Sequence, residues 1–228
     1  MSLEIQGDEA KHAVRTKRLA EGDTLELLTG AGQIGDARIS RISRQARPGG
    51  GKDWVMSLQV EQVRDEPRTR PQIHLRSGVP KGPRLEALIE AVSQAGAASW
   101  APLETRRSVV DPRPTKLARM QRVAAEASKQ CGRAWMLEIQ PSQTLATFLE
   151  RSDRQLVIAD AAAPPYQPTA TEAITLLIGP EGGFEPDELD AAIAAGATPA
   201  SFGPHTMRIE TACAIACAVV LDAERRAH

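Results

Sequence analysis

The chain has 228 residues, 42% hydrophobic, 25% charged and only 3% aromatic, and its net charge is −1. This length suits one largish domain or two small ones, and the balance is that of a globular protein. So few aromatics exclude a base-stacking platform of several Phe or Tyr side chains, and no run approaches the ~18 uninterrupted apolar residues of a membrane helix.

The first seventy residues read as short strands and turns. Thr24 to Leu28 is a strand closed by Gly30-Ala31-Gly32, Ile34 to Ile42 alternates loosely, and Arg47 to Lys52 is a Pro/Gly loop. Val55 to Val63 has apolar residues mostly two apart, which predicts a small β-rich domain, a barrel. Asp65 to Pro71 is polar and Pro-punctuated and reads as a linker, placing the domains at 1–70 and 71–228.

Beyond the linker, strands alternate with helices. Gln72 to Arg76 is a short strand, and Leu85, Leu88, Ile89 and Val92 mark an amphipathic helix over Arg84–Ala95, closed by Gly96. A strand starts at Ser99, and a second helix runs from Thr115 to Gly132. Gln155–Ala159 and Ile174–Ile178 are continuous apolar runs, as in buried parallel strands. Glu185 to Ala195 is a helix with Pro186 in its first turn, and an Ala/Cys-rich helix spans Thr211 to Ala223. The expected class is α/β with a mostly parallel sheet.

Two runs stand out chemically. In Thr175 to Phe184 a buried strand ends in a loop with Gly179, Gly182 and Gly183, and a helix follows. Ligands bind outside the carboxyl ends of such strands, and glycines admit them to the backbone. The loop fits neither a Walker sequence nor G-x-G-x-x-G, and Glu181 discourages a phosphate. A plain structural turn is the alternative. In the second run, Phe202 to Ala212, a strand-like stretch ends in Gly203-Pro204, and a loop holding Arg208 and Glu210 precedes the last helix. Glu210 could cap that helix or act in chemistry.

Charge is uneven: residues 1–80 carry +2, residues 81–135 carry +5 and the rest carry −8. Arg119, Arg122, Glu126, Lys129 and Arg133 step by three and four, lining one helical face that suits either phosphates or solvent. Cys213 and Cys217 read as small core residues, and Cys131 adds too little for a disulfide framework. His12, His74, His205 and His228 show no metal-ligand spacing. The polar, acidic N-terminus is no secretory signal, so the expectation is a reduced, cytoplasmic protein with neither membrane nor metal partner.

Together these runs resemble the small-subunit ribosomal RNA methyltransferase E family of the SPOUT superfamily. The resemblance rests on Leu177 to Phe184, then Gly203 with Met207 to Ala212. Arg107-Ser108-Val109, Glu126-Ala127 with Gln130 and Arg133, and His12 to Arg18 with Gly22-Asp23 support it. Thr16-Lys17 and Ala95-Gly96-Ala97 depart from the family pattern. The resemblance implies a PUA-like β-barrel that helps hold RNA, a C-terminal SPOUT α/β domain with a trefoil knot, and a homodimer with a site at each subunit interface. It further implies methylation of a uridine at N3 in small-subunit ribosomal RNA, free or assembled, from S-adenosylmethionine. The cofactor-binding residues would be Leu177, Ile178, Gly179, Pro180, Glu181, Gly182, Gly183, Phe202, Gly203, Met207 and Arg208, with Arg208 and Glu210 catalytic. The RNA contacts would be Arg15, Arg18, Lys81, Arg107, Arg119, Arg122 and Arg133. The alternatives are another SPOUT enzyme, acting on transfer RNA or a ribose 2′-hydroxyl, and a non-catalytic RNA-binding protein.

Overall fold

A computed structural model describes residues 1–46, 50–109, 114–150 and 155–227; Arg47–Gly49 of the expected loop and His228 lie outside them. The chain divides into two units, Met1–Pro67 and Arg68–His228.

The first unit contains β1 (Ser2–Gln6), α1 (Asp8–Arg15), β2 (Thr24–Leu28), β3 (Gln33–Ala46) and β4 (Lys52–Asp65). Its strands pair antiparallel in the order β1-β4-β3-β2. Alternation along β3 and β4 sends Ala37, Ile39, Met56 and Leu58 to one face, where they bury with Ala10 of α1. Register shifts at Asp36/Ala37 and Ile39/Arg41 mark irregularities of the bulge type, which bend a strand. Helix α1 corrects the reading of this region as strands and turns alone. Its apolar stripe is short, a buried Ala10 with half-buried Ala13 and Val14 at i, i+3 and i+4, and small side chains among polar ones announce it weakly. Asp8 and Glu9 in its first turn and Arg15 in its last suit the helix dipole.

The second unit runs β5 (Gln72–Ser77), α2 (Arg84–Gln94), β6 (Ser99–Glu104), α3 (Pro114–Gln130), β7 (Glu138–Ile139), β8 (Gln143–Thr144), α4 (Leu145–Leu149), β9 (Gln155–Ala159), β10 (Ala173–Ile178), α5 (Pro186–Ala194), β11 (Thr198–Ala200) and α6 (Ile209–Ala227). The strands pair in parallel in the order β11-β9-β10-β5-β6-β7, with β8 joined to β6 off this path. Strand β10 is inserted between β5 and β9, Leu176 lying level with Leu75 and Val157. Successive side chains serve opposite cores. Ile174, Leu176 and Ile178 pack with residues of α2, α3 and α6, whereas Leu177 packs with Phe148 of α4 and Ala192 of α5. Helices on both faces are why the strand reads as unbroken apolar sequence.

Helix ends follow local chemistry. Gly96, at φ 94°, takes the left-handed turn after α2. Helix α5 opens on a Glu185/Glu188 capping box with Pro186 behind it. Helix α6 is longer than its apolar run, because its buried face continues to Glu224. Trp100 is fully buried, and its indole N–H donates to Ser77 Oγ at 2.8 Å, which donates to the Gly78 carbonyl at 2.9 Å. Among the described residues no helix is long and apolar enough to cross a membrane.

Candidate active site

The carboxyl ends of β9, β10 and β11 open onto one cavity of about 300 Å³, closed on one side by the first turns of α6. Ile178 to Glu181, Gly183 and Phe184 form one wall, and Ala200 to Gly203 with His205 to Met207 form another. Ala159 to Ala161, Leu189, Ile209 and Ala212 complete it. The two chemically distinctive runs of the sequence therefore meet. Among the described residues, Asp160 and Glu181 are the formally charged side chains on the lining, and both are acidic.

Close backbone packing shapes the first wall. The Gly183 N–H returns to the Pro180 carbonyl at 2.8 Å, with φ 71° at Gly183. Gly78, at the end of β5, donates its N–H to the Ile178 carbonyl at 2.9 Å, and a Cβ there would stand 2.7 Å from Pro180 Cα. Only a glycine fits at that approach, and the sequence reading did not single it out. Its one signal was the Gly-Val-Pro run following a strand.

The second wall is held from behind. Ser201 N–H donates to the Pro164 carbonyl and Tyr166 N–H to the Ser201 carbonyl, at 2.9 and 3.2 Å. The Tyr166 ring stacks on Phe202 with centroids 6.0 Å apart. The Tyr166 hydroxyl in turn donates to Glu224 Oε1 at 2.5 Å, and the Thr169 and Ala170 N–H groups donate to the same carboxylate at 2.7 and 2.9 Å. Burial alone would raise the Glu224 carboxyl, but these donors hold it below its ordinary value. Burial, then the hydrogen bond to Glu224 and its charge, push the Tyr166 phenol up. Sequence reading, which ends the helix at Ala223, gives no sign of this tether, because the partners of Glu224 lie 54 to 58 residues away in the chain.

Of the expected cofactor residues, Leu177, Gly182 and Arg208 lie off the cavity lining. Leu177 is on the opposite face of the sheet, and a Cβ at Gly182 would meet Arg107 Cδ at 3.0 Å. Arg208 is exposed between Met207 and Ile209, both of which line the cavity. Glu210 sits in the first turn of α6, with Oε2 buried and without a hydrogen-bond partner among the described residues. Cys213 and Cys217 are in the core, where burial pushes both thiols up to about 12.

The expected RNA contacts occupy very different settings. In the first unit, Arg15 lies over the Trp54 ring at 6.0 Å and Arg18 is exposed. In the second, Lys81 is exposed and its carbonyl accepts from Arg84, whose guanidinium is 3.7 Å from Glu181. Arg119 pairs with Glu86 of α2 at 2.9 Å, and Lys129 pairs with Glu126 at 2.9 Å. Arg122 is exposed with no ion pair among the described residues. Arg133 turns inward and donates to the carbonyls of Ser93, Gly96 and Ala97 at 2.9, 3.4 and 2.5 Å, satisfying the end of α2. Burial lowers the Arg133 guanidinium, which stays charged at neutral pH. Arg107 is held by Glu185 and the Gly182 carbonyl.

Comparison with known proteins agrees with this architecture. Residues 67–221 match the RNA methyltransferase domain family and residues 5–46 the RNA methyltransferase PUA domain family. The chain is 31% identical over 231 residues to ribosomal RNA small subunit methyltransferase E of Mycobacterium bovis, covering 95% of this chain and 84% of that protein. It is 28% identical over 216 residues to the protein of the same name from Synechocystis, covering 90% and 68%. Among solved structures, Lpg2936 of Legionella pneumophila, a methyltransferase in complex with the bound cofactor SAM, is 27% identical with a TM-score of 0.81, covering 98% of this chain and 92% of that one. A probable rRNA-methyltransferase from Porphyromonas gingivalis is 26% identical with a TM-score of 0.84, covering 97% and 93%.

Proposed function

Because the chain belongs to the ribosomal RNA small subunit methyltransferase E family, we propose that it methylates a uridine of small-subunit ribosomal RNA at N3, with S-adenosylmethionine as methyl donor. The observation that carries this reading is the cavity's chemistry. Its walls are apolar side chains and open backbone. Among the described residues, the formal charges on its lining are the carboxylates of Asp160 and Glu181, the latter 3.7 Å from the Arg84 guanidinium, with no Lys or Arg on the lining itself. A nucleotide phosphate would be repelled there, whereas a ligand bearing a sulfonium and an ammonium is attracted. S-adenosylmethionine supplies an electrophilic methyl when bound.

The protein's own part is orientation and charge. Phe184, Phe202 and Met207 offer an apolar slot for a flat ring, and Gly179 and Gly203 leave backbone within reach. Uridine N3 must lose its proton before or during attack, leaving negative charge on the ring. Arg208, an exposed residue between two that line the cavity, is the cation we assign to stabilise that charge. Glu210 Oε2, which has no hydrogen-bond partner among the described residues, is the group we assign to accept the proton.

The trefoil knot, the domain limits 1–70 and 71–228, and two-fold pairing belong to the same reading. Pairing is supported by helix α6, whose outer face exposes Ile215 and Val219 by 39% and 37% beside Ala218. A mass of one protomer by light scattering at micromolar concentration would refute it. The function is tested by mass spectrometry of small-subunit ribosomal RNA from a deletion strain, with and without the gene restored. One methyl on uridine N3 should vanish and return. A methyl lost from transfer RNA or from a ribose hydroxyl would overturn the reading.

A further inference from the structure

The turn after β6 carries Arg106 and Arg107, of which the resemblance assigns Arg107 to RNA. Both side chains are exposed, yet both are engaged by acceptors of this chain. Arg107 Nε and one terminal nitrogen donate to the two Glu185 carboxylate oxygens at 2.8 and 2.9 Å, and its other terminal nitrogen donates to the Gly182 carbonyl at 2.5 Å. Its stem fills the space a side chain at residue 182 would need, with Cδ 3.0 Å and Cβ 3.4 Å from that position. The Arg106 N–H donates to Glu188 Oε1 at 2.9 Å, its guanidinium pairs with Asp187 at 2.5 Å, and the other Glu188 oxygen accepts from the Glu185 N–H at 2.9 Å. The turn is thereby fastened to the segment joining the glycine loop to α5.

As a bare ion pair at a partly exposed site, Arg107–Glu185 would contribute little. Its geometry gives it another use. A planar guanidinium fixes three acceptors in one plane, which an ammonium cannot do. Those acceptors bracket the end of the loop whose beginning lines the cavity. Gly182 itself lies off the lining, so Arg107 touches the loop's outer side while Pro180, Glu181 and Gly183 face the cavity.

We propose that Arg107 is a positioning residue for the methyl donor: it sets the Pro180–Phe184 loop in its binding shape and makes no phosphate contact. This rests on the cavity being the S-adenosylmethionine site. The same clamp makes the turn after β6 and the cofactor wall one mechanical piece, so the loop is shaped before the ligand arrives and less ordering is left for binding to accomplish.

The test is S-adenosylmethionine titration by calorimetry of the full chain and three variants. Arg107→Met keeps an unbranched stem over Gly182 and removes every donor; affinity should fall about tenfold, with KM for the cofactor rising and kcat changing less than about twofold. Arg107→Lys should recover part of that loss. Glu185→Gln should weaken binding less, and combined with Arg107→Met should add almost nothing, the non-additivity of one shared interaction. RNA affinity measured at several salt concentrations should keep its slope. Unchanged cofactor affinity in folded Arg107→Met overturns the proposal, and a slope shallower by roughly 0.7 would make Arg107 a phosphate contact instead. Should that variant fail to fold, Glu185→Gln carries the same comparison. If the unaltered chain binds no S-adenosylmethionine, the functional reading falls, and this inference with it.

Discussion

The cavity walls and the basic residues of the second unit differ in how position determines role. On the walls, strand parity and backbone space decide: Ile178 lines the cavity while Leu177, one residue earlier, packs on the other face of the sheet. Among the cations, parity decides nothing. Arg119 and Arg133 share a helical stripe by spacing, yet one pairs with Glu86 at the surface and the other caps the interior end of α2. A long flexible side chain takes its role from whichever acceptor stands within reach, and that acceptor lies elsewhere in the chain.

This contrast can be broken, most forcefully at Arg133. Arg133→Ala strips its donors from the Gly96 and Ala97 carbonyls and leaves Ser93 with the Gly96 N–H alone, and should cost about 2–4 kcal/mol in urea unfolding, with the salt slope of RNA binding unchanged. A stable variant with a shallower slope would return Arg133 to the RNA surface. On the other side of the comparison, Gly78→Ala forces a methyl to 2.7 Å from Pro180 Cα. About 1–3 kcal/mol of stability should be lost through overpacking, and S-adenosylmethionine affinity should fall with it.

A smaller effect belongs to Glu224→Gln. Because the folded-state carboxyl of Glu224 is held below its ordinary value, its contribution is present above the unfolded-state value and is lost as pH falls through the folded-state one. Wild type should therefore exceed the variant by about 1–2 kcal/mol at pH 7, and the two unfolding curves should converge in acid. Parallel curves at every pH would remove the carboxylate's charge from the account. The smallest change in stability, under about 1 kcal/mol, is expected for Arg119→Ala with Arg122→Ala. Its informative readout is RNA affinity at several salt concentrations, where each lost phosphate contact makes the slope shallower by roughly 0.7–0.9. An unchanged slope would leave the stripe as solvated surface.

What was legible in the sequence follows the same division. The strand of Ile174–Ile178, its glycine loop and the Phe202–Ala212 run announced themselves through local patterns, and they meet at one cavity. Helix α1 was not legible, because it is only eight residues long and its stripe of Ala10, Ala13 and Val14 is made of small side chains. Gly78, Glu224, the anchoring of Arg107 and the inward turn of Arg133 were not legible either. Each owes its role to a partner distant in sequence: Pro180, Tyr166, Glu185 and the end of α2. Residue type alone held no trace of those meetings.

The burial of Trp100 has an optical consequence. The chain has three tryptophans, with Trp54 in the first unit and Trp100 and Trp135 in the second. Trp100 is sealed in the parallel-sheet core, its N–H on Ser77, directly before the Gly78 that touches the cavity loop. Trp54 is only half-buried, with the guanidinium of Arg44 5.3 Å from its ring. The two indoles therefore sit in surroundings of opposite polarity, and their emission maxima should be separable. With Trp135 replaced by Phe, a single fluorescence melt would follow each unit by its own colour, telling whether the two lose their structure together or in turn.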